Sequence, residues 1–250
     1  MIKPKKSLGQ HFLHDKNIAK KIVDILNDAE TIIEIGPGTG ALSELLYKKY
    51  KNKILFIEID IKSIEYLNHK LNIPQEQLLH IDFLKFNFEN LLSPINVIGN
   101  FPYNISSQIF FKLLEHKEKI NQIVCMVQKE VAQRIASTHG NKNYGILSVL
   151  LQTYFHVRYH FQVNENVFIP PPKVKSAVIE LIKKKNNELP LNEEFFIKIV
   201  KTAFNQRRKI LLNSLNKLVD KNSIPPEFSN KRPEMLSINE FIKLANSLTQ

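Results

Sequence analysis

The sequence predicts an α/β protein with an open, mostly parallel sheet covered by helices on both faces, followed by a small all-helical domain. Apolar strand-like segments alternate with helical patterns from residue 31 to residue 127, which is the β-α-β repetition of such sheets. After the linker-like run KKKNNELPLNEE, only helical patterns follow. We therefore expect two domains, residues 1–184 and 185–250, which suits a chain of 250 residues.

Each predicted element rests on its own periodicity. Strands are expected where short apolar runs lie between turn residues, and helices where apolar residues recur every three or four positions. The strands are predicted at 31–35, 53–59, 77–81, 95–98, 122–127, 156–163 and 174–182, and the helices at 15–27, from 41 onward, and at 61–71, 105–115, 144–155, 193–205, 209–218 and 239–248.

Composition narrows the class of function. The chain has 35 Lys and Arg against 24 Asp and Glu, and this net charge of +11 favours a polyanionic partner, nucleic acid before membrane. A lysine-rich proteome would produce the same charge without such a partner, so the motifs must decide. No apolar run approaches the roughly 18 residues needed to cross a bilayer, and the basic start lacks the apolar region of a secretory signal, so we expect a cytoplasmic protein. The only cysteine, Cys125, lies in the apolar run IVCMV and is expected to fill the core.

The first motif that indicates chemistry is IIEIGPGTG, where a predicted strand runs into Gly36, Gly38 and Gly40. Glycine lets the backbone turn sharply and approach a ligand closely. The spacing is G-x-G-x-G rather than the G-x-G-x-x-G of dinucleotide-binding proteins, which argues against a dehydrogenase. Glu34 lies just before the loop and suits a ligand with a cationic end.

Acidic residues follow the next two predicted strands. Glu58 lies near the end of strand 53–59, where a carboxylate can accept both hydroxyls of a ribose. Asp60 is the alternative for this role. We prefer Glu58 because Ile57 and Ile59 flank it in the alternating apolar and polar pattern of a strand. Asp82 ends the following strand and can accept the amine of an adenine. Together with Glu34, these strand-end acids predict one nucleoside site rather than separate surface carboxylates.

The stretch NFPY, Asn100 to Tyr103, follows the predicted strand 95–98. An adenine amine is a poor nucleophile because its lone pair is delocalised into the ring. The side-chain carbonyl of Asn100 and the backbone carbonyl of Phe101 can accept its two hydrogens, Pro102 fixes the turn, and Tyr103 can stack on the base. Taken alone, the stretch is better explained as an ordinary turn that carries a packing aromatic residue.

With these motifs, the sequence closely resembles the ribosomal RNA adenine N6-dimethyltransferases over nearly its whole length. The resemblance is carried by SLGQHFL, EIGPGTG, IEID, DFLKF, GNFPYNISS, VFIPPPKVKSAV and FNQRRKILLNSL. It implies a Rossmann-like S-adenosylmethionine-dependent methyltransferase sheet and S-adenosylmethionine as the cofactor. His11 and Phe101 stand where the family often has asparagine and leucine. The residues implied for the cofactor pocket are His11, Leu13, Gly36, Glu58, Asp82 and Asn100, together with Gly38 of the glycine loop, and Phe168 is implied to stack on the target base opposite Tyr103.

The implied reaction is an attack of the adenine amine on the activated methyl group, with no metal. Three functions remain open: methylation of two adjacent adenosines in the 3'-terminal hairpin loop of small-subunit rRNA, methylation of large-subunit rRNA of the macrolide-resistance type, and a noncatalytic RNA-binding assembly factor on the same fold. SLGQHFL and FNQRRKILLNSL favour the first, while intact Asn100 and Tyr103 argue against the third. The expected partners are small-subunit rRNA and the immature small subunit, bound by a monomer.

The last motif, FNQRRKILLNSL, contains Arg207, Arg208 and Lys209 between two predicted helices. Arginine suits phosphate through its planar fork, so we expect these residues to bind RNA without taking part in methyl transfer. The alternative is a solvated helix junction, because basic residues are common near helix C-termini.

Overall fold

The computed structural model describes residues 2–185 and 189–249, so part of the predicted linker, residues 186–188, lies outside the described residues. The chain divides into two compact units, Met1–Ala132 with Arg158–Lys183, and Gln133–Val157 with Lys184–Gln250. The predicted division assigned residues 133–157 to the first domain. Here they form part of the second unit, because the helix Ile146–Tyr154 packs against two helices of the C-terminal region.

A seven-stranded sheet organises the first unit. Its strand order is β4-β3-β2-β5-β6-β9-β7, and the strands from β4 to β6 in that order pair in parallel, while β9 is antiparallel to β6. This confirms the predicted, mostly parallel sheet. A separate antiparallel ribbon of β1 and β8 was not predicted. In the described residues the strands are β1 Phe12–Leu13, β2 Thr31–Ile35, β3 Ile54–Glu58, β4 Leu78–His80, β5 Ile95–Asn100, β6 Ile120–Gln128, β7 Phe155–Val163, β8 Phe168–Ile169 and β9 Ser176–Lys183.

Side chains cap the first N–H groups of several helices. Asp15 accepts hydrogen bonds from the backbone N–H groups of Asn17 and Ile18 and so begins α1. Ser237 and Glu240 form a capping box at the start of α10. In the described residues the helices are α1 Lys16–Ile25, α2 Ser43–Tyr50, α3 Ile61–Leu71, α4 Ser106–Glu115, α5 Lys129–Ile135, α6 Ile146–Tyr154, α7 Glu193–Asn205, α8 Leu211–Ser214, α9 Pro226–Ser229 and α10 Ile238–Leu248.

Two predicted helices, α3 and α7, match the structure to the residue, but the predicted helix 209–218 is wrong in length. Only α8, Leu211–Ser214, is α-helical there. The N–H of Lys209 bonds back to the carbonyl of Gln206 (2.8 Å) and closes a turn after α7. Residues 206–209 therefore form a turn where the predicted helix was expected to begin. The short helices α5 and α9 were not predicted.

The core of the first unit lies on both faces of the sheet. All five residues of β2 are buried, as expected for a central strand covered by helices on each side. Cys125 on β6 is fully buried, which confirms its predicted place in the core. In the second unit, Phe204 stacks on Phe241, with ring centroids 5.8 Å apart. Across the part of the chain that the structure describes, every helix is too short or too polar to span a membrane.

Candidate active site

A cavity of about 260 Å³ lies in the first unit, where strands β2, β3 and β5 end. Open α/β sheets bind ligands beyond the carboxyl ends of their strands, next to the point where strand order reverses, and here β2 lies between β3 and β5. The structure thus brings together residues from motifs that are far apart in sequence. The predicted residues on the cavity wall are His11, Leu13, Gly36, Gly38, Glu58, Asp82, Asn100, Phe101, Pro102 and Tyr103.

The glycine loop requires glycine for two separate reasons at Gly38. Its backbone has φ +56°, in the left-handed region that L-residues rarely adopt. A Cβ at this position would also lie 2.9 Å from the ring of Phe12, which forms part of the same cavity wall. The N–H of Gly38 donates a hydrogen bond to Oε2 of Glu58 (3.0 Å), which ties the loop to the end of β3.

Glu58 is buried and held by backbone donors. Its Oε2 accepts from Gly38, and its Oε1 accepts from the N–H of Asp60 (2.9 Å). Burial raises the pKa of Glu58, against the lowering effect of these backbone N–H groups. A carboxylate has about four acceptor positions, so both oxygens keep capacity for a ligand hydroxyl.

The carboxylate of Asp60 has partners different from those of Glu58. It accepts from Nζ of Lys5 (2.7 Å) and from Nε2 of Gln10 (3.0 Å), and it caps α3 through the N–H of Lys62 (3.1 Å). The side chain of Asp60 is fully buried. These contacts fasten the N-terminal segment beside β3, and residues 7–13 of that segment form one side of the cavity.

The amide of Asn100 has a defined orientation. Its Nδ2 donates to the carbonyl oxygen of His11 (2.9 Å), and since a carbonyl only accepts, the amide nitrogen must face it. The amide oxygen Oδ1 is buried and has no hydrogen-bond partner among residues 2–185 and 189–249. A buried acceptor left unpaired costs about 1 to 3 kcal/mol, and Asn100 lines the cavity, so we expect a ligand donor to pair with this oxygen.

Phe101 holds the turn that follows. Its N–H donates to the carbonyl of Met126 on β6 (3.0 Å), and its buried ring packs edge-on against Phe110 of α4, with centroids 5.6 Å apart. The side chain therefore belongs to the core. The contact of its backbone carbonyl with a ligand stays a prediction.

Tyr103 is positioned from two sides, and sequence reasoning did not find either partner. Its ring stacks on His11, with centroids 5.5 Å apart and an interplanar angle of 24°, and its hydroxyl is hydrogen-bonded to Oγ of Ser176 on β9. Nδ1 of His11 donates to the carbonyl of Pro170 (2.8 Å), which fixes the imidazole. Burial raises the pKa of Tyr103, so the phenol is neutral at physiological pH.

The comparisons with known proteins identify the family of this chain. A family model described as ribosomal RNA adenine dimethylase matches residues 1–250. The chain belongs to this family. Ribosomal RNA small subunit methyltransferase A of Phocaeicola vulgatus is 48% identical over 255 residues, covering 99% of this chain and 90% of that protein. This membership confirms the predicted family and the predicted class of rRNA adenine dimethyltransferase.

Two solved structures have a similar fold. A dimethyladenosine transferase from Plasmodium falciparum has a TM-score of 0.78 at 26% identity, covering 94% of this chain and 96% of that one. The 23S rRNA methyltransferase ErmE has a TM-score of 0.72 at 23% identity, covering 96% of this chain and all of that one, a likeness of fold alone. The predicted methyltransferase fold is confirmed.

Phe168 lies elsewhere than the family resemblance implies. It pairs with Leu13 across the ribbon of β1 and β8, and its side chain is 2% exposed within the core cluster that also contains Leu13. It is not among the residues that line the cavity. Its stacking on a target base stays a prediction, and it would require the ribbon to release this side chain.

Asp82 and Glu34 complete the acidic set. Asp82 lines the cavity and accepts from the N–H of Leu84 (2.9 Å), which begins a short 3-10 turn. Glu34 on β2 is 2% exposed, and its Oε2 has no hydrogen-bond partner within the part of the chain that the structure describes. Burial, with a further contribution from the negative charge of Glu58, raises the pKa of Glu34 to about 8.

The basic cluster lies in the second unit. Arg207 donates from Nη2 to the carbonyl of Asn141 (3.2 Å), and its Nε lies 3.7 Å from Oε2 of Glu234. Arg208 and Lys209 are exposed. The three residues predicted as one phosphate clamp therefore have different surroundings.

Proposed function

We propose that the protein transfers methyl groups from S-adenosylmethionine to the N6 amines of two adjacent adenosines in the 3'-terminal hairpin loop of 16S rRNA, giving N6,N6-dimethyladenosines. The observation that carries this proposal is the buried, unpaired Oδ1 of Asn100, a residue that lines the same cavity as Glu58 and the glycine loop. An acceptor for an amine and a pocket for a nucleoside thus lie side by side. The relatives named for the small subunit support the first of the three functions over the large-subunit alternative.

The residues present fit S-adenosylmethionine. Glu58 would accept the ribose hydroxyls, Asp82 the adenine amine, and Glu34 would face the ammonium group, while the glycine loop permits close approach of the backbone. When bound, this cofactor supplies a methyl group activated by a positively charged sulfur. His11 and Leu13 would close the pocket from the N-terminal segment.

Asn100 would act on the target amine. Its Oδ1, with the backbone carbonyl of Phe101, would accept the two amine hydrogens, so that the nitrogen lone pair is less delocalised into the ring and is aimed at the methyl group. These hydrogen bonds strengthen as positive charge develops on the nitrogen, which favours the transition state over the ground state. Because the His11 carbonyl already holds the amide, little reorganisation is needed. The released proton passes to water.

Replacing Tyr103 separates stacking from hydrogen bonding. If its ring supports the target base, Tyr103→Leu should lose about 1 to 3 kcal/mol of binding to the RNA substrate. Tyr103→Phe keeps the ring and removes only the contact with Ser176, so it should remain close to wild type. Substrate affinity is measured for both variants, with cofactor affinity as the control. Equal losses for the two variants would contradict stacking.

Cofactor binding should release a proton through Glu34. With a pKa of about 8, this carboxyl is mostly protonated in the ligand-free protein at pH 7. A cationic ammonium beside it favours the ionised form and lowers its pKa, so binding expels about one proton and affinity rises as pH increases toward 8. Calorimetry at pH 7 in two buffers of different ionisation enthalpy measures this number. Glu34→Gln should abolish the release, and an unchanged proton count in this variant would assign the proton to another group.

We also propose the partners that follow from this reaction: small-subunit rRNA and the immature small subunit, in the cytoplasm, bound by a monomer. The net charge of +11 supports a polyanionic substrate. A role in small-subunit biogenesis would follow from acting on a particle before assembly is complete.

One experiment separates the three functions. The protein is incubated with labelled S-adenosylmethionine and, in parallel, with small subunits lacking dimethyladenosine, large-subunit RNA and free small-subunit RNA, after which dimethyladenosine is mapped. Label in the 3'-terminal hairpin of small-subunit RNA supports the proposal. Label in large-subunit RNA alone would favour the resistance-type methylase, and binding to the subunit without label would favour the assembly factor.

A further inference from the structure

The N-terminal segment, residues 5–13, crosses the carboxyl end of the sheet. From Ser7 to Leu13 it supplies one side of the active-site cavity. It contacts Asp60, just after β3, and Asn100, at the end of β5, and β2 lies between these two strands. The ring of Phe12 lies 2.9 Å from the place that a Cβ of Gly38 would take. The segment therefore spans the edge of the sheet that carries the glycine loop.

Asp60 binds this segment with both of its carboxylate oxygens. Oδ1 accepts from Nζ of Lys5 (2.7 Å), and Oδ2 accepts from Nε2 of Gln10 (3.0 Å). Lys5 and Gln10 are also joined to each other, because the backbone N–H of Lys5 donates to Oε1 of Gln10 (2.8 Å). We call these three residues the Asp60 latch. Neither Asp60 nor Lys5 is among the residues that line the cavity.

Burial makes the carboxylate of Asp60 depend on these donors. The side chain is fully buried, which by itself would raise its pKa. The hydrogen bonds from Lys5 and Gln10 outweigh burial and hold the pKa of Asp60 below its ordinary value. A buried carboxylate that loses its donors is strongly destabilised, because water does not take their place. The charge of Asp60 therefore holds the N-terminal segment in position.

Other contacts fix the segment on the side of β5. Nδ2 of Asn100 donates to the carbonyl of His11 (2.9 Å). Gly9 has φ +62°, and a Cβ at this position would lie 2.6 Å from Oδ1 of Asn104, so the two chains approach closely. All of these contacts join protein groups to one another. They can therefore build this wall of the cavity before any cofactor binds.

We propose that Asp60 is a positioning residue for S-adenosylmethionine, which holds the N-terminal segment as a preformed wall of the cofactor pocket through Lys5 and Gln10 and does not touch the cofactor. The inference rests on the proposed function, because it concerns the pocket assigned to this cofactor. A wall that is already ordered removes an ordering cost from binding. The N–H of Asp60 also donates to Oε1 of Glu58 (2.9 Å), so one residue joins this wall to the carboxylate proposed for the ribose.

Asp60→Asn breaks the latch and keeps the start of α3, because asparagine caps helices as well as aspartate does. The N–H of Lys5 fixes the amide of Gln10 with Nε2 toward residue 60. An asparagine that keeps its oxygen toward Lys5 therefore turns a second amide nitrogen toward Nε2, where only an acceptor fits. We expect about tenfold weaker binding of S-adenosylmethionine, measured by calorimetry without RNA.

Variants of Lys5 test the latch from its other side. Lys5→Gln should weaken cofactor binding about threefold, a smaller effect because this amine is partly exposed. Lys5→Arg keeps the charge and should stay close to wild type. Lys3→Gln is the matched control, because Lys3 is exposed and precedes the segment, and it should bind the cofactor as wild type does. In a double-mutant cycle, Lys5→Gln should add little to Asp60→Asn, since both changes act on one contact.

Turnover separates positioning from catalysis. Saturating cofactor favours the closed wall, so Asp60→Asn should reach a single-turnover rate close to wild type, with its defect in the KM for S-adenosylmethionine. A rate that stays low at saturation would mean that Asp60 acts on the reacting groups, and this would overturn the positioning role. Additive losses in the cycle would show that Lys5 acts on the pocket by another route.

Cofactor affinity of the folded variants decides the proposal. Thermal unfolding shows whether Asp60→Asn is folded, and wild-type affinity in the folded variant would overturn the latch. If this variant does not fold, the comparison of Lys5→Gln with Lys5→Arg tests the latch by itself, and equal wild-type affinity for both would overturn it. Methyl transfer by the wild-type protein is measured separately. Because the affinities are obtained without RNA, failure of the proposed reaction is seen apart from failure of the latch.

Discussion

Replacing Asn100 with alanine is expected to lower single-turnover methyl transfer by about 10²- to 10³-fold, the size of effect seen when one preorganised transition-state hydrogen bond is removed. The reason is that Oδ1 of Asn100 is the unpaired acceptor on the cavity wall, and its loss leaves the amine lone pair delocalised. The measurement is the rate with enzyme in excess over small subunits lacking dimethyladenosine, at saturating cofactor.

Asn104, a second asparagine that lines the cavity, serves as the control. Asn104 is exposed and lines the same cavity, so Asn104→Ala removes an identical side chain without touching the buried acceptor. It should retain a rate close to wild type. Because Nδ2 of Asn100 also holds the carbonyl of His11, cofactor affinity is measured for both variants. A loss in Asn100→Ala that is explained wholly by weaker cofactor binding would remove the catalytic role of this amide.

Replacing Glu58 is expected to weaken S-adenosylmethionine binding by about 100-fold. Hydrogen bonds to a charged group contribute about 1.5 to 3 kcal/mol each, and Glu58 would lose two from the ribose. Even Glu58→Gln should bind poorly, since its amide nitrogen would face a backbone N–H of Gly38 or Asp60, where only an acceptor fits. Calorimetry measures the affinity.

Glu44→Gln is the matched control for this prediction. Glu44 lies in the first turn of α2, half exposed and paired with Lys70, and it does not line the active-site cavity. It should leave affinity unchanged. Thermal unfolding of the ligand-free variants shows whether each is folded. Near-normal affinity for a folded Glu58→Ala protein would refute the assignment of this pocket to the nucleoside of the cofactor.

Local signals in the sequence predict many of the residues that line the cavity. Glu58, Asp82 and Asn100 were predicted because each follows a buried apolar strand, and parallel strands bring their carboxyl ends to one edge. The G-x-G-x-G spacing predicted a tight turn because positive φ at Gly38 excludes other residues. These features depend on short stretches of chain, whose periodicity or steric limits are visible in sequence.

Local sequence signals do not predict the surroundings of Phe168 and Arg207. Phe168 stands in a two-residue strand, too short for any periodicity, and it pairs with Leu13 about 155 residues away. Arg207 has the same sequence neighbours whether it binds RNA or Glu234. In both cases the choice depends on a partner brought close by folding.

The sequence by itself determined the parallel sheet, the glycine loop, the strand-end acids and the family. Local periodicity indicates the sheet and the ends of its strands, and specific motifs indicate the glycine loop and the family. Only the tertiary structure decided that His11 stacks on Tyr103, that Asp60 binds Lys5 and Gln10 of the N-terminal segment, and that Arg207 contacts Asn141 and Glu234. The physical reason is that a side chain's hydrogen bonds and burial depend on which distant groups surround it. A residue with several possible partners is therefore assigned only when the fold has selected one of them.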